Sequence, residues 1–282
     1  MMGSFRTSMA IGSRLALTAA LTAGLATCAP AEVGEKAGDD GAPRVVSLNP
    51  CLDAIVVEVA HPDQILALSH YNANPQSSSI PQEIARRYDV TGGTVEEIVA
   101  LQPDIVLAST FMAPATRAAF DKLGVRVEAF DSPMSVEESI DQVGRLAQLI
   151  DRKTSGEALA ADIRNSVSIV GAGEQRSAVL WQPGGIVPGE QQLISELLRA
   201  SGFASHSARL GLGQADYLSL EQVVASPPDV LIVAGQSRAQ QHPALARTDT
   251  LIAQFDPTLL YCGGPTIPRA MQRLRQIREQ IS

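Results

Sequence analysis

Aromatic residues are scarce in this chain, at 4% of the whole, with a single tryptophan at position 181. A site that stacks flat faces against a ligand has few residues to draw on. There are three cysteines, at positions 28, 51 and 262, and no Cys-x-x-Cys pair. That excludes the thioredoxin-type motif and zinc sites built on paired cysteines. The four histidines form no His-Glu-x-x-His arrangement, and neither Gly-x-Ser-x-Gly nor a P-loop occurs, so the familiar catalytic templates find no foothold. Lys and Arg number 22 against 30 acidic residues, a net charge of −8. No basic stripe offsets it, so nucleic acid is not an expected partner.

What is present suits a folded, exported protein. The chain has 282 residues, 45% hydrophobic, enough for one large domain or two lobes of ordinary size. Arg6 and Arg14 precede an apolar run from Leu15 to Ala26, too short to span a bilayer stably. We read residues 1–28 as an export signal. Leu25-Ala26-Thr27-Cys28 resembles a lipobox, which makes Cys28 the lipidation site and the membrane tether. The Thr before Cys departs from the usual small residue, and cleavage after Ala29-Pro30-Ala31 is the competing reading. Residues 29–43 are polar and acidic, a flexible tether.

One block is written twice. Thr94-Val-Glu-Glu-Ile-Val-Ala-Leu-Gln-Pro-Asp-Ile-Val-Leu-Ala aligns without a gap on Ser219-Leu-Glu-Gln-Val-Val-Ala-Ser-Pro-Pro-Asp-Val-Leu-Ile-Val. Each copy opens with a capping-box pattern, Thr94 with Glu97 and Ser219 with Gln222. Each has a Pro that ends the helix, then a continuous apolar run typical of a strand buried on both faces. Further strands are expected at Arg44–Leu48, Ile65–Ser69, Val125–Phe130, Ser177–Trp181 and Thr258–Cys262. Helices are expected at Leu52–Val59, Ala115–Leu123, Ser135–Ile150, from Thr154, at Gln191–Ser201, and at the C-terminus with Ile267, Met271, Leu274 and Ile281 on one stripe.

This alternation predicts an α/β fold: two lobes with parallel sheets flanked by helices, joined by one long spine helix, with a ligand cleft between the lobes. The expected bounds are 44–153 for the N-terminal lobe, 154–172 for the connecting helix and 173–282 for the C-terminal lobe. Ligands of open α/β sheets bind beyond the carboxyl ends of strands. The candidate cleft residues are therefore Cys51, His70, Tyr71, Asn72, Thr110, Phe111, Trp181, Gln182, Tyr217, Gln236, Arg238 and Cys262. Arg269 is a further cation that could meet an anionic ligand. His206 and His242 read as solvated loop residues. Cys51 and Cys262 fall in cleft loops of opposite lobes, and three states stay open for them: free thiols, a disulfide, or ligation of a soft metal together with His70.

The export signal, Arg44-Val-Val-Ser-Leu-Asn-Pro, Leu68-Ser-His-Tyr, Gly92-Gly-Thr-Val-Glu-Glu-Ile-Val-Ala-Leu-Gln-Pro-Asp-Ile-Val and Leu220-Glu-Gln-Val-Val together resemble the periplasmic binding proteins of iron-complex and vitamin B12 ABC importers, over roughly residues 43 to 282. The resemblance implies two α/β lobes on a rigid helix, little hinge motion, and delivery of a ferric siderophore, corrinoid or haem to an inner-membrane permease and ATPase. It also implies one docking glutamate per lobe, which here falls on Glu96 and Glu221. Both lie in the first turn of a helix, where the dipole favours a carboxylate by about 0.3–1 kcal/mol. No resident cofactor and no catalysis are expected. Two other readings stand beside this one: a binder of a free transition-metal ion through Cys51, His70 and Cys262, and an exported α/β cofactor-handling enzyme.

Overall fold

In the computed structural model the described residues are 41–167 and 175–281. The expected export signal, Cys28, most of the expected tether and the expected spine beyond residue 167 lie outside them. Five strands form the first sheet: β1 (Val45–Ser47), β2 (Ile65–Ser69), β3 (Val90–Thr91), β4 (Ile105–Ser109) and β5 (Val127–Phe130), in the order β3-β2-β1-β4-β5. Four form the second: β6 (Arg176–Trp181), β7 (Phe203–Ser205), β8 (Val230–Val233) and β9 (Leu251–Gln254), in the order β7-β6-β8-β9. Every pairing between these strands is parallel. The α/β class with two parallel sheets is thus as expected.

The helices are α1 (Pro50–Val59), α2 (Gln82–Ala85), α3 (Val95–Leu101), α4 (Pro114–Lys122), α5 (Val136–Leu149), α6 (Lys153–Ser166), α7 (Leu193–Ala200), α8 (His206–Arg209), α9 (Leu220–Ala225) and α10 (Thr266–Glu279). No helix among the described residues is long and apolar enough to cross a membrane.

Alternation along the strands sorts side chains into layers. Val45, Ile105, Leu107, Ala178, Leu180, Val230 and Ile232 all enter one hydrophobic core, shared with Ile55 of α1, Val143 of α5, Ile163 of α6, Leu197 of α7 and Leu274 of α10. Their neighbours point the other way. Val46, Val106 and Ala108 pack with Ile98 of α3 and Phe120 of α4. Val179, Leu231 and Val233 pack with Val223 of α9. The two sheets therefore enclose a common helical layer, and contacts gather the described residues into one unit. Fully burying one such Ile or Leu contributes about 1.5–3 kcal/mol, and this layer contains many of them.

Close approach within the layer is built into the sequence. A Cβ on Gly156 of α6 would lie 2.3 Å from the Cβ of Ala147 on α5. Polar ties add to it: Glu196 of α7 accepts the Val136 N–H at the start of α5 at 2.9 Å, and Gly264 N–H donates to Ser139 Oγ at 2.7 Å.

Two expectations fail locally. No strand runs through Thr258–Cys262. Pro257 opens a 3₁₀ turn over Pro257–Leu259, and Asp256 caps it through the Thr258 N–H at 2.9 Å. The edge strand is β9 instead, pairing with β8 from Leu251 to Gln254. His206 is not solvated: it is fully buried, its Nδ1 is 2.7 Å from Arg209 Nη2, and burial together with the Arg209 cation lowers its pKa.

Candidate functional site

The carboxyl edge of the first sheet opens into a cavity of about 490 Å³. Four of the five strands deliver their next residues to the wall: Leu48, Asn49 and Pro50 after β1, His70 and Tyr71 after β2, Gly92 and Gly93 after β3, and Phe111 and Met112 after β4, with Thr116 from α4. Asn49 closes the end of α1 by accepting the N–H groups of Cys51 at 2.9 Å and Leu52 at 3.2 Å. No Lys, Arg, Asp or Glu is among the lining residues. The wall is mostly apolar, with hydroxyls at Ser69, Thr91, Ser109 and Thr116 and one imidazole–phenol pair. The rings of His70 and Tyr71 lie 4.2 Å apart between centroids, tilted by 31°. Phe111 is 85% exposed at the mouth. This is a surface that offers flat contact and a few hydrogen bonds, with no formal charge.

Of the expected site residues, His70, Tyr71 and Phe111 are brought together here. Thr110 lies beside them, but its hydroxyl donates to Asp131 at 2.6 Å. Tyr217, Gln236 and Arg238 are exposed on loops of the second sheet and do not line the cavity. Gln182 accepts the hydroxyl of Tyr261. Arg269 donates to the Ser79 carbonyl.

Two assignments are corrected, and one of the three states left open for the cysteines is found. Trp181 is only 1% exposed, and its indole N–H donates to the Leu218 carbonyl at 2.8 Å; it is core, because its position on β6 turns it under the loop before α9. Asn72 is buried, donating to the Asp53 carboxylate and accepting from Ser78. Cys51 and Cys262 are joined in a disulfide, with Cα atoms 5.0 Å apart. Neither offers a thiolate, so the metal site through Cys51, His70 and Cys262 loses two of its three ligands. Among the described residues no group of three His, Cys, Asp or Glu is placed to hold a metal ion.

Two residues outside the cavity wall carry features that the sequence reading does not single out. Tyr261 is 67% exposed and next to the disulfide, and partial burial raises its pKa. Reading Thr258–Cys262 as a strand hid it. Asp53 is fully buried in the first turn of α1, and nothing in its local sequence marks it.

Glu96 and Glu221 occupy matching places. Thr94 Oγ1 accepts the Glu97 N–H at 3.3 Å and Ser219 Oγ accepts the Gln222 N–H at 3.3 Å. The next residue after each cap and one more brings the chain to an exposed glutamate. Its own backbone N–H and the Ser219 hydroxyl lower the pKa of Glu221.

Comparison with known proteins agrees with this architecture. The chain is 24% identical over 201 residues to a cobalamin-binding protein of Halobacterium salinarum, covering 67% of this chain and 53% of that one. It is 26% identical over 130 residues to the vitamin B12-binding protein of Vibrio parahaemolyticus, 46% of each. The chain thus spans about half the length of the curated relatives it matches. Among solved structures, the periplasmic haem-binding protein RhuT from Roseiflexus sp. RS-1 superposes with a TM-score of 0.66 at 22% identity, over 84% of this chain and 97% of that one. The haem-binding protein HutB of Vibrio cholerae gives 0.70 at 16% identity, over 84% and 98%. At these identities the structural likeness speaks for the fold. The family model described as periplasmic binding protein matches residues 45–254, and the chain belongs to that family.

Proposed function

We propose that the protein is the extracytoplasmic substrate-binding component of an ABC importer, capturing a metal-containing macrocycle, a corrinoid foremost, and delivering it to the membrane permease. The observation that carries this reading is the uncharged, largely apolar cavity with His70 and Tyr71 on its wall. A ferric siderophore presents anionic or hydroxamate oxygens and is met by Arg or Lys, and the cavity wall has neither. A flat, amide-rimmed corrinoid is matched by aromatic edges, hydroxyls and backbone N–H groups. The curated relatives named for cobalamin point the same way.

The remaining parts follow. Glu96 and Glu221 are the docking residues for the permease, where exposed charge sets register and on-rate more than affinity. The disulfide suits an oxidising compartment outside the cytoplasm. Cys28, outside the described residues, is the proposed lipid anchor. The protein acts as a binding module with no chemistry of its own.

Titration of the purified protein with cyanocobalamin, hemin and a ferric siderophore tests the reading, followed by absorbance and calorimetry. Cyanocobalamin is expected to bind with a Kd of about 1 μM or tighter, roughly −8 kcal/mol. Silence toward all three, with tight binding of copper or zinc, would overturn it.

A further inference from the structure

Asp53 does not touch the cavity, yet it holds the segment that does. Its carboxylate accepts the Ser69 N–H, at 3.3 and 3.2 Å to its two oxygens, the Ser69 hydroxyl and the Asn72 side-chain amide. Ser69 and Asn72 flank His70 and Tyr71 in sequence, and those two reach the cavity wall. The 3₁₀ turn His70–Ala73 has no side-chain cap of its own. Its closing bond, from Asn74 N–H to the Tyr71 carbonyl, is 3.2 Å long. Ser77 Oγ also donates to the Tyr71 carbonyl at 3.1 Å and Ser78 Oγ to the Asn72 side chain; the Asp53 bonds are the ones that tie the turn to α1. The ionised carboxyl group accepts from all three donors at once; an amide presents a donor where one is already aimed. Burying such a group is unfavourable unless it is fully hydrogen-bonded, so an apolar residue would serve packing better than Asp53 does.

We infer that Asp53 is a positioning residue for ligand binding: it clamps both ends of the His70–Tyr71 segment, so that the two rings meet the ligand already ordered. This rests on the assignment of the cavity as the ligand site. The advantage is the ordering cost that a free segment incurs at binding.

The test uses the full chain carrying Asp53→Asn or Asp53→Ala, beside Ile232→Val in the second sheet as a control for general destabilisation. Asp53→Asn, which keeps the volume, covers the case in which Asp53→Ala does not fold. In the ligand-free protein, amide exchange across residues 69–74 is expected to accelerate by at least about tenfold in the Asp53 variants and not in the control. The Kd for cyanocobalamin is expected to weaken about tenfold in the Asp53 variants and to stay unchanged in the control. Unaltered exchange at residues 69–74 would overturn the inference, as would accelerated exchange with undiminished cyanocobalamin affinity. A wild-type protein that binds neither cyanocobalamin nor hemin overturns the ligand assignment instead, and exchange alone then decides whether Asp53 holds the segment.

Discussion

Burial pushes the pKa of Asp53 from the ordinary 3.8 up to about 7, against the opposing bonds from Ser47, Ser69 and Asn72. The sign of the consequence is fixed by linkage. Between about pH 4 and pH 7 the folded protein binds a proton here that the unfolded chain has released, so this group's contribution to stability falls as pH rises. The loss is complete above pH 7 and is at most of order 4 kcal/mol. Urea unfolding at several pH values is expected to give a stability difference between wild type and Asp53→Asn that shifts against the wild type from pH 4 to 7.5. A difference flat in pH would mean that the carboxyl is solvated. Glu221 and Asp229 have lowered pKa values and act in the opposite direction, below about pH 4.5, and they cancel in the comparison. At this scale the sequence was readable where chemistry follows a strand end: His70, Tyr71 and Phe111 were found that way. Asp53 and Trp181 were not, because whether a side chain faces a cavity or a core depends on neighbours far along the chain.

The repeated block illustrates what can be read at the scale of elements. α3 with β4 and α9 with β8 were both visible, because cap, apolar period, proline and apolar run agree within fifteen residues. The shared aspartate had no assigned role, and the structure supplies one. Asp104 accepts the Arg44 N–H at 2.8 Å and Asp229 accepts the Ser177 N–H at 2.7 Å. In each sheet, the same residue secures the central strand beside it. The copies differ at their ends: Gln102 caps α3 with a left-handed φ of 50°, whereas Ser226 caps α9 at −137°. β9 is hard to read because its burial is one-sided and its apolar signal is weaker than that of the Leu259–Cys262 run, in which Leu259, Leu260 and Cys262 are buried without forming a strand. Two glycines give an element-level prediction with opposite signs. Gly144 on α5 has open space where a Cβ would go, so Gly144→Ala should stabilise by about 0.5–1 kcal/mol. Gly156 on α6 faces Ala147 at 2.3 Å, so Gly156→Ala should destabilise by about 1–3 kcal/mol through overpacking. Chemical denaturation of the two single variants checks both, and equal effects would contradict the packing of α5 on α6.

The molecule as a whole is more tightly joined than two lobes on a single helix. The alternating elements point to the architecture, but a core common to both sheets has no local signature. The same holds for the bridge between Cys51 and Cys262, separated by 211 residues; two cysteines in loops are compatible with several states. Gly264, at φ +62°, seats its loop against α1, with Ile55 Cγ1 2.7 Å from where a Cβ would stand. Replacing both cysteines by serine should cost about 3–5 kcal/mol, the range expected for opening so long a loop, visible as a lowered Tm. Cyanocobalamin affinity should be retained, since the shared core still sets the spacing of the sheets; a large loss of affinity would show that the bridge itself shapes the site. A separate outcome concerns docking. Glu96→Lys combined with Glu221→Lys should abolish uptake in cells while leaving Kd unchanged, and intact uptake would remove both residues from the permease interface.

The disulfide has a consequence for how such a carrier is recognised. A binding protein that closes like a clam advertises its cargo by its shape, because the distance between its two halves reports occupancy. Here a covalent stitch and a common interior tie the two sheets together, so the proposed docking glutamates are expected to stand at one separation whether the cavity is full or empty. On the proposed reading, empty and loaded forms would then compete for the permease on nearly equal terms. Whatever tells them apart would then be read at the cavity mouth, where Phe111 stands exposed, rather than in the stance of the molecule.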